Sequence, residues 1–156
     1  NDKVINDYFI IHRSPFVLIV AETLDGIVLV RQYRPATEKF YWSLPAGFIK
    51  ENEDKIIAGK RELLEETGIV ATDLRCIGSL DSLPGYISST GYVLSCKVLE
   101  KLINEVYDKD EIEQVSIFSW SDIISMIVAG NINEMQAVAA LLLAYHANYE
   151  KKNPMQ

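Results

Sequence analysis

Apolar residues are distributed along this chain in short runs rich in β-branched side chains, most of them closed by turn-forming residues. Phe16 to Ala21 and Ile27 to Val30 are two such runs, joined by Thr23-Leu24-Asp25-Gly26, whose Asp-Gly pair predicts a hairpin of antiparallel strands. Tyr8 to Ile11 reads as a further edge strand, and Tyr41 to Leu44 as a short strand ended by Pro45. The pattern then changes: Asn52 as N-cap, Glu53 and Asp54 in a first turn and Gly68 as the C-terminal stop predict a helix of about four turns ending at Thr67. Leu74 to Leu80, Gly91 to Leu99 and Val115 to Phe118 read as strands, the first two flanking a polar loop over Asp81 to Thr90. Ser121 opens a short helix, Gly130-Asn131 breaks it, and a strongly apolar core or dimer helix runs from about Asn133 to Tyr149. Strands, a helix, more strands and then helices within 156 residues predict one α/β domain over 1–156, a mixed sheet with helices on its faces.

Composition removes several function classes. With 49% apolar and 24% charged residues the chain is neither disordered nor fibrous. Fifteen Lys and Arg against twenty-two Asp and Glu leave a net charge of −7, so no broad basic surface exists for nucleic acid, and an anionic small molecule must be met locally. Cys76 and Cys96 fit neither a zinc site nor a disulfide framework and are expected as reduced thiols. The longest apolar stretch, Ala137 to Tyr145, is short of the ~18 residues of a membrane span, and Asn1-Asp2-Lys3 opens no signal peptide. A soluble cytoplasmic protein is expected. His12 and His146 are isolated and carry no chemical assignment.

The helix holds the candidate chemistry. At about 100° per residue, Ile56, Ile57, Leu63 and Leu64 gather on one face, with Lys60 as the misfit, and Glu62, Glu65 and Glu66 fall opposite. Ala58 and Gly59 share the acidic face and are too small to cover it, so open space is expected in front of the carboxylates. A run such as Arg61-Glu62-Leu63-Leu64-Glu65-Glu66 is ordinarily a solvated helix surface. Against that reading, Glu62 and Glu66 form a like-charge i,i+4 pair near the negative end of the helix dipole, a repulsion of roughly a few tenths of a kcal/mol. Arg61 reaches only part of this group. A divalent cation is the economical compensation, and oxygen ligands without His or Cys favour Mg²⁺ or Mn²⁺ over Zn²⁺.

Gly47, five residues, Glu53, seven residues, and then Arg61-Glu62-Leu63-Leu64-Glu65-Glu66-Thr67-Gly68-Ile69 resemble the complete Nudix box, with every specified position met. Seven fixed identities at fixed spacing arise by chance at one start position in only about one of 10⁸ cases at ~7% usage per residue. The strand order on either side also resembles the Nudix hydrolase fold, an α/β/α sandwich with a mixed sheet. The resemblance implies Glu62 and Glu66 as principal metal ligands, Glu65 as a further ligand or base, and the Ala46 carbonyl as a ligand presented by a Pro45-Ala46-Gly47 loop. Arg61 would orient Glu65, its i+4 neighbour. Homodimerisation is likewise implied.

Three features outside the box narrow the substrate. Arg31-Gln32-Tyr33-Arg34-Pro35 resembles the segment of ADP-ribose pyrophosphatases whose second arginine holds the diphosphate, which implies Arg34 as a substrate ligand. If the strand persists, Arg31 and Tyr33 share one side and Arg34 takes the other. Leu83-Pro84-Gly85 resembles the proline loop of the same branch and implies Pro84 and Gly85 in substrate binding, although Pro-Gly is also a common turn. Asp108 to Glu113 is placed like the loop that supplies a late catalytic glutamate, implying Glu111 with Asp110 and Glu113 as rivals. The roughly fifteen residues before the first long strand are fewer than in many ADP-ribose pyrophosphatases, where that segment pairs with the partner subunit and helps hold adenine. Phe9, Tyr33, Tyr41 and Tyr86 are candidates to stack on the base, each weighed against core or cross-strand packing.

The resemblance thus implies a Mg²⁺-dependent hydrolase of ADP-ribose or a similar nucleoside diphosphate sugar, with water as nucleophile and Glu111 or Glu65 as base. Alternatives are a Nudix enzyme for GDP-mannose, a dinucleoside polyphosphate or an oxidised nucleoside triphosphate, and a Nudix-like domain that binds a nucleotide sugar without cleaving it. The intact Glu62, Glu65 and Glu66 set argues against the last.

Overall fold

The computed structural model of the chain describes residues 7–98 and 111–152. Strand β1 (Ile11–His12) pairs in parallel with β7 (Ile87–Ser88) as a small separate sheet, so the edge strand expected over Tyr8 to Ile11 is shorter and shifted towards His12. Strands β2 (Phe16–Glu22) and β3 (Ile27–Arg34) follow, with β4 (Lys39–Ser43) and β5 (Ala46–Phe48). After helix α1 (Lys55–Thr67) come β6 (Arg75–Asp81), β8 (Thr90–Lys97) and β9 (Ile112–Phe118). Helices α2 (Trp120–Val128) and α3 (Met135–Lys152) follow them. The seven-stranded sheet runs β4-β3-β2-β8-β6, with β5 added to β2 and β9 to β3. It is mixed, because β2 and β8 are parallel over seven residues and the other pairings are antiparallel.

The unbroken apolar runs follow from burial on both faces. Alternate residues of β2 point opposite ways. Leu18 and Val20 join Leu29, Val93, Ile123, Ala137 and Leu141 under α2 and α3, whereas Val17, Ile19 and Ala21 join Leu94, Ala58, Leu63 and Leu74 under α1. Helices therefore flank the sheet on both sides, the α/β/α arrangement that the element order implies. Cys76 is exposed and Cys96 buried, both as free thiols. Among the described residues no helix is long and apolar enough to cross a membrane.

Two departures from the sequence pattern build the site. The β2–β3 hairpin is closed at Thr23 to Gly26, but Glu22↔Ile27 is its one register pair. Beyond the turn the strands diverge, and Ala46 to Phe48, expected as a loop, takes the vacated edge of β2 as strand β5. That splay opens a cavity between the far end of β3 and β5. The second departure is at α1. Its N-cap is Asp54, which accepts from Ile56 N at 2.7 Å, rather than Asn52, which has a left-handed φ of 61°. At the other end Gly68, at φ 72°, caps the helix by donating to the Leu64 carbonyl, as its position predicts. Helix α2 likewise starts one residue earlier than expected, because Ser119 forms a capping box with Asp122.

Candidate active site

The interior face of α1 differs from the one expected from hydrophobic periodicity. Ala58, Gly59, Leu63, Glu66 and Thr67 are buried, while Ile57 is 61% exposed and Leu64 also faces solvent. Ala58 and Gly59 are small because the helix lies close against the sheet: a Cβ on Gly59 would overlap the Leu94 side chain and come within 2.7 Å of Leu74 Cδ2. They leave no space before the acidic groups. The acidic positions enter the structure because β5 admits them. A Cβ on Gly47 would occupy the position of the Glu62 carboxylate, so only glycine permits this approach. One turn further, Glu66 is 5% exposed and accepts from Ala46 N at 3.1 Å.

Two kinds of carboxylate result. Arg61 is the hub of the first kind, bonding Glu53 through both Nε and Nη2 at 2.9 Å, Glu62 at 2.5 Å, Glu65 at 3.1 Å and the Phe48 carbonyl at 3.1 Å. Its reach is wider than Glu65 alone. Glu53 also accepts from Lys50 N, and Arg61 with that N–H holds its carboxyl down to about 2. Glu53, placed in the first turn by sequence reasoning, instead closes the loop before α1 and anchors Arg61. Glu66 is the second kind. Burial pushes its carboxyl well above the usual carboxylate range against the Ala46 N–H; the charges of Glu62 and Glu111 add to the rise and Arg34 opposes it. Glu62 lies between the two kinds, raised by burial and lowered by Arg61.

The cavity, of about 410 Å³, lies within the ~300–1,000 Å³ range of small-molecule sites. Arg34, Ala46 and Gly47 line it, with Glu62 and Glu66 directly behind Ala46 and Gly47. Arg31 and Tyr33 both meet the Phe40 ring, so Arg34 does take the other side of β3. Pro84 and Gly85 line a neighbouring hollow with Tyr86, sharing Ile87 and Ser89 with the main cavity. Glu111 is exposed, immediately before β9, and Glu113 is paired with Arg31. Asp108 and Asp110 lie outside the described residues. Of the stacking candidates, Tyr33 packs across strands on Phe40, whereas Phe9 and Tyr86 are exposed rather than packed in a core.

Sequence reasoning missed much of the cavity wall, including Arg13, Ser82, Glu134 and Gln136. Arg13 stands 4.7 Å over the Phe48 ring, Glu134 pairs with Arg34, and Gln136 bonds Ser82 at 2.8 Å. No local motif marks them, since they meet only through β1, the loop after β6 and the start of α3.

The donor set fits a hard divalent cation. It is all oxygen, and Glu66 is a buried carboxylate with a single backbone N–H upon it, the kind of group such an ion would neutralise. The carboxylates are not gathered into a cage: among the described residues no three of His, Cys, Asp or Glu converge on one point, Glu62 being engaged by Arg61 and Glu66 by Ala46.

Comparison with known proteins agrees with this geometry. The chain is 31% identical over 129 residues to ADP compounds hydrolase NudE of Escherichia coli K12, covering 81% of this chain and 68% of that one. It is 26% identical over 134 residues to an ADP-ribose pyrophosphatase of Bacillus subtilis 168, covering 85% and 72%. A crystal structure of an ADP compounds hydrolase superposes with a TM-score of 0.76 at 26% identity, over 90% of this chain and 74% of that one. Because the NUDIX domain model matches residues 11–140, from β1 into α3, the chain belongs to the NUDIX family of hydrolases.

Proposed function

We propose that the chain is one metal-dependent hydrolase domain that cleaves the diphosphate of a nucleoside diphosphate sugar, converting ADP-ribose to AMP and ribose 5-phosphate. The observation that carries this reading is the meeting of Arg34, Ala46 and Gly47 on one cavity wall, with Glu62 and Glu66 directly behind it. The names of the two relatives, for ADP compounds and for ADP-ribose, support the choice of substrate.

In this reading Glu62, Glu66 and the Ala46 carbonyl hold Mg²⁺, with Mn²⁺ as a substitute and Glu65 as a further ligand. The ion, when bound, supplies charge neutralisation on the diphosphate and acidifies a water. Arg34 clamps the diphosphate through its planar fork of donors. Pro84 and Gly85 contribute from the adjoining hollow. Glu111 takes the proton of the attacking water, with Glu65 as the other candidate.

A panel of ADP-ribose, GDP-mannose, a dinucleoside polyphosphate and an oxidised nucleoside triphosphate, with product analysis, tests the proposal. The expected result is equimolar AMP and ribose 5-phosphate, abolished by EDTA and restored by Mg²⁺. Preferred turnover of another compound overturns the substrate, and turnover that survives EDTA overturns the metal. We extend the reading to a homodimer, supported by the exposed Tyr8, Phe9, Ile10 and Ile11 at the start of the described chain. Light scattering is expected to give twice the 17.6 kDa chain mass.

A further inference from the structure

We propose that Glu134 is a positioning residue that fixes the Arg34 guanidinium for a diphosphate in the cavity, an inference that rests on the reading of Arg34 given above. Arg34 ends β3, and its carbonyl is fixed by the turn that follows, through Thr37 N at 3.1 Å. Its side chain is long, and the rotamer freedom it would lose opposes holding it in one place. Glu134, a hundred residues later in the chain, does the holding: Oε1 accepts from Arg34 Nε at 2.8 Å and Oε2 from Nη2 at 3.4 Å. Both side chains line the cavity, at 38% and 23% exposure.

Glu134 is itself well braced. Its carbonyl accepts from Val138 N at 3.0 Å at the start of α3, and two residues on Gln136 bonds the buried Ser82 at 2.8 Å. A guanidinium carries five N–H donors in one plane. The Glu134 pair uses the Nε edge, so the fork is oriented by the protein before a ligand arrives, and less freedom is lost on binding. The same carboxylate also repels a phosphate a short distance away. Positioning and repulsion predict opposite signs, which makes the inference testable.

The test measures ADP binding by calorimetry in EDTA, so that it depends on neither turnover nor metal, for wild type, E134A, E134Q, R34A and R34A/E134A. Expected are a loss of about tenfold in E134A, a larger loss in R34A, and a double variant no weaker than R34A within about twofold, the non-additivity of a shared function. E134Q keeps an acceptor of the same shape without the charge, and it also stands in if E134A does not fold. Its recovery of ADP affinity would assign the holding to the hydrogen bond, and its failure to do so would assign it to the charge. With ADP-ribose as substrate, E134A is expected to raise KM about tenfold with kcat within about twofold, a split that a fold defect does not give. E134A binding ADP as tightly as wild type, or more tightly, overturns the inference, as does a double variant whose losses add in full. R34A binding like wild type overturns the clamp and this inference together, but leaves cleavage of ADP-ribose to the substrate panel.

Discussion

Glu53 and Glu66 are both box glutamates gathered around one helix, yet their surroundings drive their carboxyls in opposite directions. Glu53 accepts from two nitrogens of Arg61 and from Lys50 N, and is held down to about 2. Glu66 is buried with one backbone N–H, and burial pushes its carboxyl well up. The difference is one of compensation rather than residue type: Arg61 gives its donors to Glu53, Glu62, Glu65 and the Phe48 carbonyl and makes no bond to Glu66. A compensated carboxylate stabilises the fold, whereas an uncompensated buried one is costly to keep unless something else neutralises it. A carboxylate raised by burial beside a cavity is a candidate for function, whereas one lowered by an ion pair fits a structural role. On the proposed reading the two sides of Arg61 thus divide into architecture and chemistry.

The sharpest break of that division is Glu66→Gln. Turnover is expected to fall by more than about 100-fold, beyond the 10–100-fold typical of outer-shell partners. Stability should hold or rise in thermal unfolding, because the amide keeps an acceptor for Ala46 N without a buried charge. A comparable loss of Tm would make Glu66 a structural group. The next contrast uses two glycines. Gly47→Ala puts a methyl where the Glu62 carboxylate lies; a flexible side-chain end can move aside, so activity should fall about 10–100-fold with little change in stability. Gly59→Ala presses instead on Leu94 and Leu74, with an overpacking cost of about 1–3 kcal/mol, partly offset by the ~1 kcal/mol helical preference for alanine. Activity per folded molecule should be unchanged there.

The same contrast explains what could be read in advance. The box is local, and its spacing over 23 residues marks Glu62, Glu65, Glu66 and Gly47 as candidates from sequence alone. The apolar runs gave the strands, since burial on both faces leaves no polar alternation to confuse them. Periodicity failed on α1 because it assumes that apolar residues face inward. Here the box carboxylate of Glu66 occupies the interior while Ile57 and Leu64 lie outside, and a helix that breaks the hydrophobic rule misleads a method built on that rule. The cavity was illegible for another reason. It exists because β2 and β3 splay after one register pair, and Arg13, Ser82, Glu134 and Gln136 reach it from three separate segments.

A smaller effect is expected on the architectural side. Glu53→Gln should lower Tm at neutral pH and weaken activity about tenfold by loosening Arg61, which holds Glu62. Glu53 titrates near 2 when folded against an ordinary value of 4.5, so its contribution to stability is complete above 4.5 and is lost as pH falls towards 2. The Tm difference between wild type and variant should therefore close over that interval. A difference that is constant down to pH 2 would mean that Glu53 acts by packing alone.

The smallest effect belongs to Glu65, and it decides between the two candidate bases. Its side chain is 48% exposed and is joined to Arg61 by one i,i+4 bond, a pair worth at most about 0.5 kcal/mol. Glu111, in contrast, lies where its charge is felt at Glu66. Glu65→Gln should therefore leave Tm nearly unchanged and kcat within about threefold, while Glu111→Gln, which removes the proposed proton acceptor, should cost about 10²–10⁴ in kcat. If the two losses are interchanged, the base stands on the Arg61 side of the helix, and the division between architecture and chemistry no longer follows compensation.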